Sequence, residues 1–259
     1  MLRAEGLSLS SGGRALLSSI DAGFIAGRFT VLAGPNGAGK SSLLKCLAGQ
    51  LAPCAGSVTL DGDPVLRIDP RMRGRRIGYL PQSAALHWNI PVRELVSLGR
   101  FPHGDARSEH GQAAIENALR DMDLAELADR LTSTLSGGER ARALLARVLA
   151  GEPQWILADE PLTALDVSHQ FELLDRFKTI AGRGVGVIVV AHDLPLVAQQ
   201  ADDALLLQDG RAVAFGPAAD ILSPERLEQV FGARFFHVDA PDGSRLLASV
   251  SGSARPDPN

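Results

Sequence analysis

Residues 34–41 read Gly34, Pro35, Asn36, Gly37, Ala38, Gly39, Lys40, Ser41, a complete G-x-x-x-x-G-K-S string. This string constrains the fold because it works only between a buried strand and the start of a helix. Both flanks are present. Residues 29–33 (FTVLA) form an apolar, partly β-branched run that predicts a strand, and Leu43, Leu44 and Leu47 recur at helical spacing behind Lys40. Gly34, Gly37 and Gly39 allow backbone conformations closed to other residues, so successive N–H groups can point at one phosphate. The helix adds its positive N-terminal end. Lys40 is predicted to place its ammonium between terminal phosphates, and the Ser41 hydroxyl to bind Mg²⁺. The stretch from Gly34 to Ser42 is therefore expected to hold a nucleoside triphosphate, with ATP and Mg²⁺ as cofactors.

The rest of the chain supplies further strands of the same kind. Residues 77–80, 155–158 and 185–191 are short apolar runs between helical patterns, which argues for parallel strands joined by crossover helices. Gly6–Ser10 and Ser57–Leu60, with Asp61-Gly62 as a turn, predict a small antiparallel layer. Ala204–Leu207 and Arg211–Phe215 flank Asp209-Gly210, a hairpin signal. From about residue 86 to 150 the strand pattern stops. Arg93–Gly99, Gln112–Leu124 and a segment opening at Gly137 read as helices. The expected fold is α/β: a mainly parallel core, an antiparallel layer and an inserted helical subdomain. The expected organisation is a single domain over 1–259. Its core covers 1–85 and 151–217, the helical subdomain 86–150, and a short C-terminal extension 218–259. Residues 251–259 have the composition of a disordered end.

At 259 residues and 45% apolar there is ample material for a core. A net charge of −4 gives no global attraction to nucleic acid. The 2 cysteines, Cys46 and Cys54, form neither a disulfide framework nor a metal pattern and read as structural. No apolar run approaches the roughly 20 residues of a membrane helix. The N-terminus lacks a signal arrangement, so a soluble cytoplasmic protein is expected.

The run of residues 155–158 delivers Asp159 and Glu160 to a strand end, where alternation sends the two side chains in different directions. Asp159 suits Mg²⁺, directly or through its water shell. Glu160 suits a water lined up behind the terminal phosphate, as general base or orienting group. Ser136 and the N–H groups of the helix behind it form an anion site with no phosphate-binding element nearby in the chain.

Together the phosphate loop, the carboxylate pair and residues 135–139 (LSGGE) resemble the ATP-binding cassette ATPases over almost the whole chain. The resemblance implies further roles. Gln82 matches the glutamine that reaches metal and water and senses the transport partner. Ser136, Gly137 and Gly138 match the signature that contacts the terminal phosphate held by the other subunit. Residues 164–166, ending at Asp166, match the D-loop, and His192 the switch histidine. Catalytic roles thus fall to Glu160, His192 and Gln82, and metal contacts to Ser41, Gln82 and Asp159. A head-to-tail homodimer glued by ATP follows. The chain departs from the pattern at residues 10–13 (SSGG), where an adenine-stacking aromatic is usual; Arg14 is the expected substitute. Ala141 replaces a common Gln, and Ala158 and Leu162 also differ.

Residues 96–103 (VSLGRFPH) and 166–170 (DVSHQ) resemble strings in ATPases serving iron-siderophore, haem and vitamin B12 importers. This implies energised uptake of an iron(III)-siderophore-type chelate, with haem or cobalamin import as the alternative, and an exporter or non-transport cassette further off. Separate integral-membrane permease subunits are implied, with a periplasmic or lipid-anchored binding protein beyond them and no nucleic acid. The chain would then sit peripherally on the cytoplasmic face of the inner cell membrane. His103 and His169 read as family structure, and Arg71, Arg73, Arg75 and Arg76 as a solvated loop.

Overall fold

The computed structural model describes residues 1–82, 89–163, 165–239 and 245–250. A six-stranded sheet forms its centre: β3 (Phe29–Ala33), β6 (Ile77–Leu80), β7 (Trp155–Asp159), β8 (Gly186–Val190), β9 (Asp203–Gln208) and β10 (Arg211–Pro217). The spatial order is β10-β9-β3-β8-β7-β6, parallel from β9 to β6 with β10 antiparallel at the edge. The order is not sequential, so each parallel pair needs a crossover, and helices cover the sheet.

Period-two alternation divides each central strand between two cores. Phe29, Val31, Ile156, Ala158, Val187 and Val189 face a core shared with α5 (Gly137–Leu149) and α6 (Val167–Gly182). Leu32, Trp155, Leu157, Ile188, Val190, Leu205 and Leu207 face the other. There they meet α1 (Lys40–Leu47) and a four-stranded antiparallel sheet ordered β2-β1-β4-β5. That sheet comprises β1 (Leu2–Ser11), β2 (Arg14–Phe24), β4 (Ala55–Leu60) and β5 (Asp63–Pro64). Burial on both faces explains why these strands read as unbroken apolar runs. Strand β2 escapes a sequence reading because its alternation is broken: Ser19 lies at φ 49° and the β1–β2 register shifts at several points.

The insertion carries α3 (Val92–Ser97), α4 (Glu109–Asp121) and α5, which pack on one another. Helix α4 starts earlier than the predicted Gln112 because Ser108 caps it, accepting from Gly111 N at 3.0 Å. Residues 98–100 tighten into a 3₁₀ turn in place of the last turn of a predicted helix. One expectation is corrected. The arginine cluster is not a solvated loop but a short helix, α2 (Pro70–Arg76), capped by Asp69. Arg73 and Arg75 donate to the carbonyls of Val65 and Pro102, and Arg76 pairs with Asp61.

After β8 come α7 (Leu194–Val197), α8 (Ala218–Ile221), α9 (Pro224–Phe231) and the hairpin of β11 (Arg234–Asp239) with β12 (Arg245–Val250). The expected disordered end, residues 251–259, lies outside the described residues. No described helix is long and apolar enough to cross a membrane.

Candidate active site

Because β3, β6, β7 and β8 run parallel, the loops leaving their C-terminal ends gather at one edge of the sheet. That is where open α/β sheets place their ligands. Gly34, Gln82, Glu160 and His192 each follow one of those four strands within a few residues.

The phosphate loop is held from both sides. Gly34, Gly37 and Gly39 all have positive φ. At Gly34 a Cβ would lie 2.2 Å from the carbonyl oxygen of Leu207, and at Gly39 one would lie 2.7 Å from that of Leu16. Only glycine fits these two positions. Ala38 N donates to Pro35 O at 3.1 Å and Gly210 N to Ala38 O at 3.2 Å, so the β9–β10 turn braces the loop. Lys40 is 5% exposed, and its Nζ donates to the carbonyls of Gly34 (2.7 Å) and Pro35 (2.9 Å). Burial pulls its pKa down, opposed by the charges of Glu160 and Asp159. Asn36, Gly37, Lys40, Ser41, Ser42, Glu160 and His192 line one open cleft.

Asp159 and Glu160 diverge at the end of β7. Ser41 Oγ donates to Asp159 Oδ1 at 2.7 Å, and Tyr79 Oη to Oδ2 at 3.3 Å. Tyr79 is half-buried, and burial raises its pKa, followed by the Asp159 charge. Glu160 has φ 50°, a left-handed conformation that turns its side chain off the strand line. Its carboxylate meets Gln82 Nε2 on one oxygen and His192 Nε2 on the other. Thr163 Oγ1 donates to the Glu160 carbonyl at 3.1 Å. Two residues distant in sequence, Gln82 and His192, therefore converge on the Glu160 carboxylate, while Thr163 holds its backbone. The oxygen donors of Ser41, Asp159 and Gln82 suit a hard cation such as Mg²⁺.

Ser136 lies apart from this cluster, at the exposed N-cap of α5. Its Oγ accepts from Glu139 N at 3.2 Å while its own N–H donates to Glu139 Oε2 at 2.7 Å, a capping box closed within one turn. Gly137 is exposed and Gly138 buried. Asp166 caps α6 and accepts from His169 N at 3.0 Å. Ala164 of the expected D-loop lies outside the described residues.

Sequence reasoning overlooked Tyr79, Leu16 and Thr163. A tyrosine three residues before Gln82 was a visible signal; the Leu16 carbonyl had none, since only tertiary packing brings β2 against Gly39. Arg14, expected at the adenine, opens β2 as an exposed side chain. The importer-like string proves to be a structural knot. Arg100 is fully buried, pairing with Asp105 (2.6 Å) and Glu152 (2.6 Å) and donating to Ala150 O at 2.9 Å. His103 Nε2 meets Gly151 O at 3.0 Å, and a Cβ on Gly99 would lie 1.9 Å from Arg147 O. The knot leaves Phe101 78% exposed.

The sequence profile of the ABC transporter family matches residues 17–163. A hemin import ATP-binding protein HmuV of Rhizobium meliloti is 39% identical over 242 residues, covering 90% of this chain and 92% of that protein. The HmuV of Pseudomonas aeruginosa is 44% identical over 237 residues, with coverage of 90% and 92%. Among solved structures, a metal-chelate type ABC transporter in an inward-facing conformation superposes with a TM-score of 0.84 at 28% identity, covering 97% of each chain. A dimeric ATP-binding cassette bound to ADP and Pi does so with a TM-score of 0.74 at 26% identity, over 84% of this chain and 99% of that one. The glycine loop, the carboxylates at the end of β7 and these likenesses lead to one conclusion: the chain belongs to the ABC transporter family, as an ATP-binding cassette ATPase subunit.

Proposed function

We propose that this chain energises uptake of haem through separate permease subunits. The observation that carries this reading is its 38–44% identity, over about nine tenths of the chain, to proteins named as hemin import ATPases in several bacteria. The strings at 96–103 and 166–170 left an iron-siderophore chelate as the first expectation and haem as its alternative; the relatives favour haem. The likeness to a metal-chelate type transporter supports the broader class.

In this reading the backbone of Gly34, Pro35, Asn36, Gly37, Ala38 and Gly39 wraps the phosphates, with Lys40, Ser41 and Ser42 completing the site. Mg²⁺, when bound, would draw charge from the terminal phosphates, held by Ser41, Asp159 and Gln82. Glu160 orients the attacking water or takes its proton. Both of its oxygens are engaged here, so Gln82 and His192 fix its carboxylate until phosphate and water arrive. Ser136, Gly137, Gly138 and Asp166 serve the nucleotide of a second copy. Exposure of Ser136 and Gly137 at the start of α5 supports this. We divide the chain accordingly into a core of 1–85 and 151–217, a helical subdomain of 86–150 and an extension of 218–259.

Docking to a membrane partner is supported by Phe101 and Leu98, 78% and 41% exposed and held rigid by the buried Arg100. Apolar side chains fixed outward beside Arg71 and Arg107 suit a partner segment. The chain would then lie peripherally on the cytoplasmic side, with a binding protein reached only through the permease.

Capture of the tagged chain from solubilised membranes, with and without Phe101→Asp, tests this. A many-helix permease retained by the parent and lost from the variant is expected, and hemin-loaded binding protein should then stimulate ATP hydrolysis. Stimulation by an iron-siderophore but not by hemin would return the reading to its first expectation.

A further inference from the structure

The signature glycine and the D-loop aspartate meet on one side chain. A Cβ built on Gly138 would lie 2.3 Å from His169 Cδ2 and 2.7 Å from its Nε2, so the imidazole lies flush against the second residue of α5. On its other side, His169 Nδ1 is 2.6 Å from Asp166 Oδ1. The same Asp166 oxygen accepts from His169 N at 3.0 Å and Ser168 Oγ at 2.9 Å. All three bonds fall on Oδ1, and the Asp166 side chain is 65% exposed. The backbone hydrogen bond from His169, then its side chain, holds Asp166 below the usual carboxylate range and so charged.

The next residue continues the linkage. Gln170 Nε2 donates to the carbonyls of Leu162 (3.2 Å) and Leu165 (3.1 Å), the chain that runs from Glu160 to Asp166. One turn of α6 thus holds the exit of β7 through Gln170 and the start of α5 through His169. Neither residue touches the phosphate loop among the described hydrogen bonds.

We infer that His169 is a positioning residue, a spacer that fixes the α5 N-terminus and the Asp166 carboxylate as one unit facing a second copy of this chain. This rests on the head-to-tail dimer reading for its use, but not for its geometry. A side chain that fits under glycine alone and donates to a capping carboxylate sets both height and direction. Groups preorganised at an interface favour assembly by cutting the ordering cost of association.

The test uses the full chain with three variants. His169→Ala removes ring and bond, His169→Phe keeps a ring but no hydrogen bond, and His169→Asn keeps an amide donor for Asp166. In the ATP-free monomer, hydrogen exchange at the amides of residues 137–140 and 166–170 should quicken about tenfold in the Ala and Phe variants and return toward parent in Asn. ATP affinity of the monomer should stay within about twofold in all three. In a Glu160→Gln background, the protein concentration giving half ATP-bound dimer should rise about tenfold for Ala and Phe and less for Asn. Unchanged exchange in the Phe variant, or nucleotide affinity falling in step with dimerisation, would overturn the role. A Glu160→Gln parent that never dimerises would remove the head-to-tail dimer reading instead, while the exchange data still decide His169.

Discussion

The two regions of this chain proposed to face phosphate are built in opposite ways. The cleft at the sheet edge draws on β2, the loop after β3, β6, β7, β8 and the β9–β10 turn, and its polar side chains pair across those elements. The start of α5 draws on four consecutive residues, and Ser136 and Glu139 satisfy each other. The first is braced from several elements; the second has its capping bonds closed within one turn. A helix start whose capping bonds close within one turn, packed from below by His169, leaves its exposed face free to be completed by another molecule, which supports a shared site. A region whose Lys40, Ser41, Asp159 and Glu160 are already engaged has to exchange those bonds for nucleotide.

The sharpest way to break this contrast is Glu160→Gln. Turnover should fall about 10²–10⁴-fold, with ATP still bound and a dimer trapped; steady-state hydrolysis and sedimentation with ATP would read both. Near-normal hydrolysis would remove Glu160 from the mechanism. Lys40→Ala comes next. Losing charge-assisted bonds worth about 1.5–3 kcal/mol should weaken nucleotide binding about 10- to 100-fold by calorimetry. Binding unchanged by that substitution would mean the braced loop is not the phosphate site.

Smaller effects sharpen the other side. Ser136→Ala opens the capping box and should cost about 1 kcal/mol, or about 2–4 °C in Tm for a chain of this size. Monomer ATP affinity should not move, and a change there would merge the two regions into one. Smallest of all, Tyr79→Phe removes one long hydrogen bond to Asp159. It should cost at most about 1 kcal/mol, seen as a severalfold rise in the Mg²⁺ needed for half-maximal ATP binding.

How much was legible depended on the range of the interaction concerned. The glycines of residues 34–39 announce their loop because backbone conformation is a local property, and LSGGE announces a capped helix for the same reason. The strands of the central sheet were legible because burial on both faces leaves a run of apolar residues. Strand β2 and the helical character of Pro70–Arg76 were obscured. The first is bulged, and the second is short, arginine-rich and stabilised by carbonyls of Val65 and Pro102 that lie elsewhere in the chain.

The importer-like string at 96–103 shows the same division at a single side chain. Its resemblance was visible, yet nothing in the string says that Arg100 is fully buried between Asp105 and Glu152 while Phe101, its neighbour, faces solvent. Asp105 is held below the usual carboxylate range by its hydrogen bond to Arg100, so this pair is strongest at neutral pH and lost as pH falls through the depressed pKa.

By itself, then, the sequence determined the α/β class, the phosphate loop, the carboxylates at the end of β7 and the family, because these rest on residue type, short spacing and alternation. Only the tertiary structure decided that Asp159 faces Ser41 and Tyr79 while Glu160 turns to Gln82 and His192, and that His169 fills the space beneath Gly138. Those pairings join residues far apart in the chain. Their partners are set by strand order and by which groups remain to be satisfied once the two cores have packed.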